Sequence, residues 1–163
     1  MHMLIYALVE AATEEDALAA GKCVFDRLVG AVPDAGAVFD YYVTFDDEDS
    51  RVAGKARWGA LPVAAPIASP DGRALLDRGW TATEAEFTRN LDRVREGIDR
   101  LSDEELMRDT DLVRHACHQL GAYDGPSIFL YDQHGWGIRH REQLDRVLDA
   151  HVDPWIVPAD VHF

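Results

Sequence analysis

The chain has 163 residues and carries 30 acidic against 16 basic side chains, for a formal charge of −14, while 47% of its residues are hydrophobic. That apolar fraction is too high for a disordered acidic chain, and the length is sufficient for one domain with its own core. The acidic balance argues against a protein that coats DNA or RNA, because such proteins are basic. A nucleic-acid partner is therefore disfavoured.

The acidic and basic residues are unevenly divided by type. Asp makes up 20 of the 30 acidic residues, and Arg makes up 14 of the 16 basic residues, with only Lys22 and Lys55 as lysines. Proteins of salt-accumulating halophiles have this composition, because molar salt shortens the Debye length to roughly 3 Å and a strongly negative surface keeps them soluble. We therefore expect an acidic protein of halophilic origin, whose charge carries no information about a specific partner.

The first ten residues are apolar but lack the basic start and the cleavage pattern of a secretion signal. No stretch of the sequence reaches the ~18–20 apolar residues that a membrane span needs. Cys23 and Cys117 are far apart, as is typical of free thiols in a reducing compartment. The expected location is the cytoplasm, with no membrane partner.

The first part of the chain predicts a strand, a helix and a second strand. Met3 to Val9 is nearly all apolar, as in a buried strand. Thr13 follows as an N-cap, and apolar residues at helical spacing predict a helix that ends at Gly30. Residues 38–45 alternate in polarity, which is typical of a strand with one buried face.

Residues 50–80 are rich in Gly and Pro and predict an irregular segment with one short helix near Arg73 to Arg78. Such a segment in a compact domain is often a binding loop or an oligomer contact. Thr83-x-x-Glu86 and Ser102-x-x-Glu105 are capping boxes, so each predicts the start of a helix. An apolar stripe on the first of these helices either packs on the sheet of the same chain or binds a partner helix or a second subunit. The stripe consists of Phe87, Leu91, Val94, Ile98 and Leu101.

The last part predicts a strand at Ser127 to Tyr131, a helix from about Arg141 to Ala150 and a final strand from Trp155. Two βαβ halves in this order predict a ferredoxin-like α+β sandwich. The chain is expected to form a single domain over residues 1–163, with an irregular and helical insertion at about 47–122. The alternative is a small three-layer α/β sheet. By analogy with ferredoxin-like domains that pair through their sheets, a homodimer is expected.

His115 and His118 form an H-x-x-H pair on a predicted helix. On a helical wheel both fall opposite the apolar residues, about 60° apart. Two imidazoles in that arrangement can bind one divalent metal, provided that further ligands come from elsewhere. The alternative is a pair of polar residues on a solvated face.

The segment from Asp132 to Arg141 follows the end of an apolar strand, where loops often carry function. Imidazoles exchange protons near neutral pH, and a guanidinium binds phosphate or carboxylate with two hydrogen bonds. The candidate catalytic residues are His134, His140 and Asp132, and the candidate ligand-binding residues are Arg139, Arg141 and Trp136. The alternative is a tight hairpin in which Asp132 caps the turn and Trp136 packs on the core.

The sequence contains no P-loop, no dinucleotide-binding glycine motif, no nucleophile elbow, and neither an H-E-x-x-H nor a C-x-x-C motif. The leading hypothesis is therefore a noncatalytic accessory or interaction module. The alternative is a small enzyme, or a ligand- or metal-binding protein, that uses the 132–141 loop with His115 and His118. A concave site shared by the loop and the two histidines would favour this alternative.

Overall fold

A computed structural model describes residues 1–163, apart from the side chain of Leu112. In chain order the elements are β1 (His2–Glu10), α1 (Glu14–Leu28), β2 (Tyr41–Thr44), α2 (Lys55–Trp58), β3 (Ala65–Pro66), α3 (Pro70–Arg100), α4 (Asp103–Arg108), α5 (Asp111–Gly121), β4 (Leu130–Tyr131), α6 (Arg141–Ala150) and β5 (Pro154–His162). Within this described part of the chain, no helix is long and apolar enough to cross a membrane.

The five strands form one mixed sheet, which together with the helices confirms the α+β class. The strand order is β2-β5-β1-β4, and β3 pairs with β5. β5 is antiparallel to β1, β2 and β3, whereas β4 is parallel to β1. The ferredoxin-like order is not confirmed, because β2 pairs with the last strand, β5, and not with β4, the parallel neighbour of β1.

Helices cover both faces of the sheet, so the three-layer alternative fits the structure. On one face, Ile5 of β1 belongs to a core cluster with Phe25 of α1. On the other face, Leu4 packs in a second cluster with Leu75 of α3 and Leu144 of α6. Successive residues of a strand point to opposite faces, and burial of both faces explains the continuous apolar run of β1.

Two helix starts were predicted correctly from their caps. The Thr13 hydroxyl accepts a hydrogen bond of 3.2 Å from the Asp16 N–H at the start of α1. Ser102 and Glu105 form the predicted capping box at the start of α4. These signals are local, because each cap involves residues only three positions apart.

The predicted helix start at Thr83 is wrong. Helix α3 begins at Pro70 with Ser69 as its N-cap, so it includes about a third of the 50–80 segment and absorbs the short helix predicted near Arg73 to Arg78. Thr83 lies buried in the helix, and its hydroxyl donates to the Gly79 carbonyl at 3.0 Å. A threonine inside a helix can donate to the carbonyl four residues earlier. A glutamate three residues after such a threonine gives the same T-x-x-E pattern as a capping box.

The apolar stripe of α3 lies in the second half of the helix, which packs beside α5. Phe87 and Ile98 are 47% and 59% exposed, while Leu91 and Val94 are half-buried. Gly97 approaches the side chain of Val113 of α5. The stripe therefore contributes to a helical layer and leaves two of its apolar side chains in contact with solvent.

Candidate functional site

The 132–141 loop begins as a tight turn built around Asp132. Its Oδ1 accepts hydrogen bonds from the backbone N–H groups of His134 and Trp136, both at 2.9 Å. Gly135 has φ +81°, in the left-handed region that glycine adopts without steric penalty. Asp132 therefore holds the turn, as the hairpin interpretation expects.

Gly137 brings this turn against the segment that follows α5. Its N–H donates to the Tyr123 carbonyl at 3.0 Å, and a Cβ at this position would lie 2.1 Å from that oxygen. Only glycine allows so close an approach of two backbones. The contact places Trp136 and Tyr123 along one groove.

Trp136 does not pack on the core as the hairpin interpretation expected, since 66% of its surface is exposed. It lines a groove of about 640 Å³ together with Tyr123, His134 and residues that follow α1. A volume of this size falls in the range of small-molecule sites. The indole thus presents a planar apolar surface to an open groove.

The polar side chains of the groove carry more negative than positive charge. Arg27 contributes one cation, whereas Asp34 and Asp124 contribute two carboxylates. Asp34 also has φ +64°, a backbone conformation that costs a non-glycine residue about 1 kcal/mol or more. The groove therefore disfavours anions, and part of its rim is held in a strained conformation.

Strand β4, which precedes the turn, contains a buried hydroxyl. Tyr131 is fully buried, and among the residues that the structure describes its hydroxyl has no hydrogen-bond partner. Burial, and then the nearby Asp124 carboxylate, raise the pKa of Tyr131 well above its ordinary value. Tyr131 does not line the groove, so its neutral hydroxyl belongs to the core of the domain.

Arg139 binds the end of α5 in this structure. Its guanidinium donates to the carbonyls of Leu120 and Gly121, the latter at 2.8 Å, and its Cζ lies 4.5 Å from the ring centre of Tyr123. The last carbonyls of a helix lack intrahelical donors, so this contact satisfies them. Arg139 consequently joins α5, Tyr123 and the loop.

His140 and Arg141 also have partners within the fold. His140 is the N-cap of α6, and its Nδ1 accepts from the Gln143 N–H at 3.3 Å. Arg141 pairs with Asp145 at 3.1 Å and lies 5.8 Å from the ring centre of Trp80. Of the candidate residues in the loop, Trp136 and His134 are the two that line the groove.

His115 and His118 lie on the exposed face of α5, where the helical wheel placed them. With Asp111 and Arg114 they line an open cavity of about 480 Å³, which shares no lining residue with the groove at Trp136. Across the described residues, no group of three or more His, Cys, Asp or Glu side chains is able to hold a metal ion. A metal on this pair would therefore need ligands from another molecule.

A polar network that sequence reasoning missed lies where β1 begins and β5 ends. Asp160 is fully buried, and it accepts hydrogen bonds from His2 Nδ1 at 3.0 Å and from the Gly54 N–H at 2.9 Å. Its two partners are far away in the sequence, so no local pattern joins them. The one available signal is a carboxylate inside an apolar strand, which is rarely buried without a partner.

The fold and the groove define a three-layer α+β protein with an open cleft beside the turn that follows β4. Residues 1–163 match a family described as a domain of unknown function, DUF7995, and the chain belongs to that family. Neither the curated proteins nor the solved structures contain a match to it.

Proposed function

We propose that the protein is a noncatalytic binding protein whose ligand is a planar heterocycle, uncharged or cationic, in the groove at Trp136. The observation that carries this proposal is the 66% exposure of Trp136 on the wall of a groove of about 640 Å³. Tryptophan is enriched at binding surfaces because it offers a large rigid apolar face. A second aromatic residue, Tyr123, lines the same groove.

The chemistry of the lining narrows the ligand class. The aromatic rings favour stacking with a planar ligand. The carboxylates of Asp34 and Asp124 accept hydrogen bonds from amino or hydroxyl groups, and Arg27 donates to a carbonyl or ring nitrogen. With two carboxylates against one guanidinium, a phosphate on the ligand would weaken binding. A nucleobase or nucleoside has the required combination of groups.

We infer a noncatalytic role for the protein because two of the candidate acid–base groups of the loop have structural roles. Asp132 holds the turn and His140 caps α6, so both are engaged by backbone N–H groups. His134 lines the groove, and a catalytic role for it is the alternative. Turnover of a bound ligand that is abolished in His134→Gln would favour this alternative.

The test is a calorimetric titration with adenosine, compared with adenosine 5′-monophosphate, at the same high salt concentration. We expect saturable binding of adenosine, weaker binding of the monophosphate, and loss of adenosine binding in Trp136→Ala. Met107→Ala is the matched control, because Met107 is 87% exposed on α4 and does not line the groove. No binding of adenosine by the parent, or equal binding by Trp136→Ala, would contradict the proposal.

We also propose that the protein works in a salt-rich cytoplasm and that it forms a homodimer or binds another protein. The composition supports the first point, and the exposed Phe87 and Ile98 on α3 support the second. Sedimentation in molar salt tests the dimer. A parent that sediments as a monomer across the accessible concentration range would argue against self-association.

A further inference from the structure

Three rings lie side by side at the end of the sheet where β1 begins and β5 ends. Tyr41, His162 and His2 are cross-strand neighbours on β2, β5 and β1. The Tyr41 ring stacks on His162, with centres 5.1 Å apart and planes 6° apart, and the His2 ring centre is 5.0 Å from that of His162. Directly opposite residues share a face of the sheet, so the three polar ring edges lie together.

The buried carboxylate of Asp160 fixes the orientation of His2. One of its oxygens lies 3.0 Å from His2 Nδ1, and the other accepts the Gly54 N–H at 2.9 Å. Because a carboxylate only accepts hydrogen bonds, Nδ1 carries a proton and the neutral imidazole has its lone pair on Nε2. The His2 side chain is 11% exposed, so the surrounding residues hold it in this position.

The second nitrogen of His2 faces a tyrosine hydroxyl. His2 Nε2 lies 3.4 Å from Tyr41 Oη, which is long for a hydrogen bond. Contacts between proton-transfer groups are often long before a substrate binds and shorten in the complex. Tyr41 is 40% exposed, so a molecule in solution can reach it. On the stacked ring, His162 Nδ1 lies 2.8 Å from Asp40, which fixes that imidazole as well.

We propose that Asp160, His2 and Tyr41 form a relay that makes Tyr41 an acceptor for the acyl group of an activated carboxylic ester. Tyr41 Oη bonds to the ester carbonyl carbon while the bond from that carbon to the leaving oxygen breaks. The hydroxyl proton passes to His2 Nε2 and then to the leaving oxygen. Asp160 stabilises the positive charge on His2 during this transfer, and the step needs no oxidant or further reactant.

Other tyrosines of the chain lack this arrangement and serve as references. Tyr42 donates to the Asp26 carboxylate at 2.8 Å, and burial, followed by Asp26, raises the pKa of Tyr42, so it is a poor nucleophile. Tyr123 is 50% exposed, similar to Tyr41, but its ring contacts Arg139 and not an imidazole. Tyr123 is therefore the matched internal control for Tyr41.

The experiment exposes the folded protein to p-nitrophenyl acetate and follows acetylation of each tyrosine by peptide mass spectrometry. We expect Tyr41 to be acetylated about 100-fold faster than Tyr123, since a positioned general base contributes at least that factor. His2→Gln should reduce the Tyr41 rate to that of Tyr123, because glutamine can still donate to Asp160 but is not a base. His115→Gln, which removes an exposed imidazole on α5 away from both the relay and the groove, should leave the rate unchanged.

A second readout separates loss of the base from disruption of the fold. In His2→Ala, added imidazole should restore much of the Tyr41 rate, because the external base can occupy the vacated position. Equal acetylation of Tyr41 and Tyr123 in the parent would overturn the proposal. A Tyr41 rate that is unaffected by His2→Gln, or a loss in His2→Ala that imidazole does not restore, would overturn it too.

Discussion

Asp132 fixes Trp136 at the tip of the turn that follows β4, because its Oδ1 accepts the Trp136 backbone N–H at 2.9 Å. The same oxygen accepts the N–H of His134, so one carboxylate orders both groove-lining residues of the turn. Hydrogen bonds to an ionised acceptor are stronger than those between neutral groups. An exposed indole therefore keeps a defined backbone position without being packed in the core.

Replacing Asp132 should loosen the turn and weaken binding at the groove together. In Asp132→Ala we expect the free energy of unfolding to fall by about 1–2 kcal/mol, as for loss of a capping carboxylate, and adenosine to bind more weakly. Asp132→Asn keeps the accepting oxygen and should lose less in both measurements. Urea unfolding and calorimetry provide the values, and an Ala variant as stable as the parent would contradict this role.

Replacing Trp136 should affect binding without affecting stability. Its side chain is 66% exposed, so Trp136→Ala should change the free energy of unfolding by no more than about 0.5 kcal/mol. Loss of a stacking aromatic should weaken nucleoside binding by about 1–3 kcal/mol. Thermal unfolding and titration of the same preparation separate the two effects. A large loss of stability would show that the indole packs in the fold.

Replacing Arg139 should release the end of α5. The guanidinium satisfies carbonyls at Leu120 and Gly121, so Arg139→Ala should lower the free energy of unfolding by about 1–2 kcal/mol. Arg139→Lys should restore little, because an ammonium lacks the planar fork that spans two carbonyls. Hydrogen exchange should be faster in the last turn of α5 in both variants. Unchanged exchange there would contradict the tether.

Local patterns in the sequence predicted the elements more reliably than their arrangement. The caps at Thr13 and Ser102 involve neighbouring residues, and the strand at β1 follows from a run of apolar side chains. The position of β5 between β1 and β2 depends on pairing with residues more than a hundred positions away. No periodicity specifies such pairing, which explains why the sheet order was not predicted.

The candidate site was predicted in part. The turn at residues 132–137 does line a groove, but its other walls are formed by α1, the residues after it and the segment that follows α5. The hairpin interpretation expected Trp136 to pack on the core. This expectation was wrong because sequence alone does not distinguish a buried from an exposed indole between glycines. The pair of His2 and Asp160 was missed because only the folded sheet brings the chain ends together.

Tyr6 should make the protein sensitive to alkali. Burial raises its pKa to about 12, against a smaller opposing effect of Arg78, so the folded state keeps the hydroxyl proton after the unfolded chain has lost it near pH 10. Stability is then fully present below pH 10 and falls as pH rises towards 12, by roughly 2–3 kcal/mol from this group.

Tyr6→Phe should remove that loss. The Tyr6 hydroxyl is buried and has no hydrogen-bond partner among the described residues, so its removal should also stabilise the protein at neutral pH by about 1 kcal/mol. Urea unfolding at several pH values measures both effects. Identical alkaline profiles for parent and variant would contradict the assignment.

The acidic composition predicts a dependence of stability on salt. Repulsion within a chain of net charge −14 is screened in molar salt and is much less screened at low ionic strength. We expect the melting temperature to fall by roughly 5 °C or more between about 2 M and about 0.1 M salt. A melting temperature that stays constant over this range would argue against adaptation to high salt.

The binding proposal is tested most directly by NMR of the indole N–H groups during titration with adenosine. The chain has four tryptophans, and comparison with Trp136→Phe assigns the signal of Trp136. The structure predicts that this signal shifts and saturates, while that of Trp155, which packs against the core, stays in place. A Trp136 signal that does not move at saturating adenosine, or equal shifts at Trp136 and Trp155, would contradict binding in this groove.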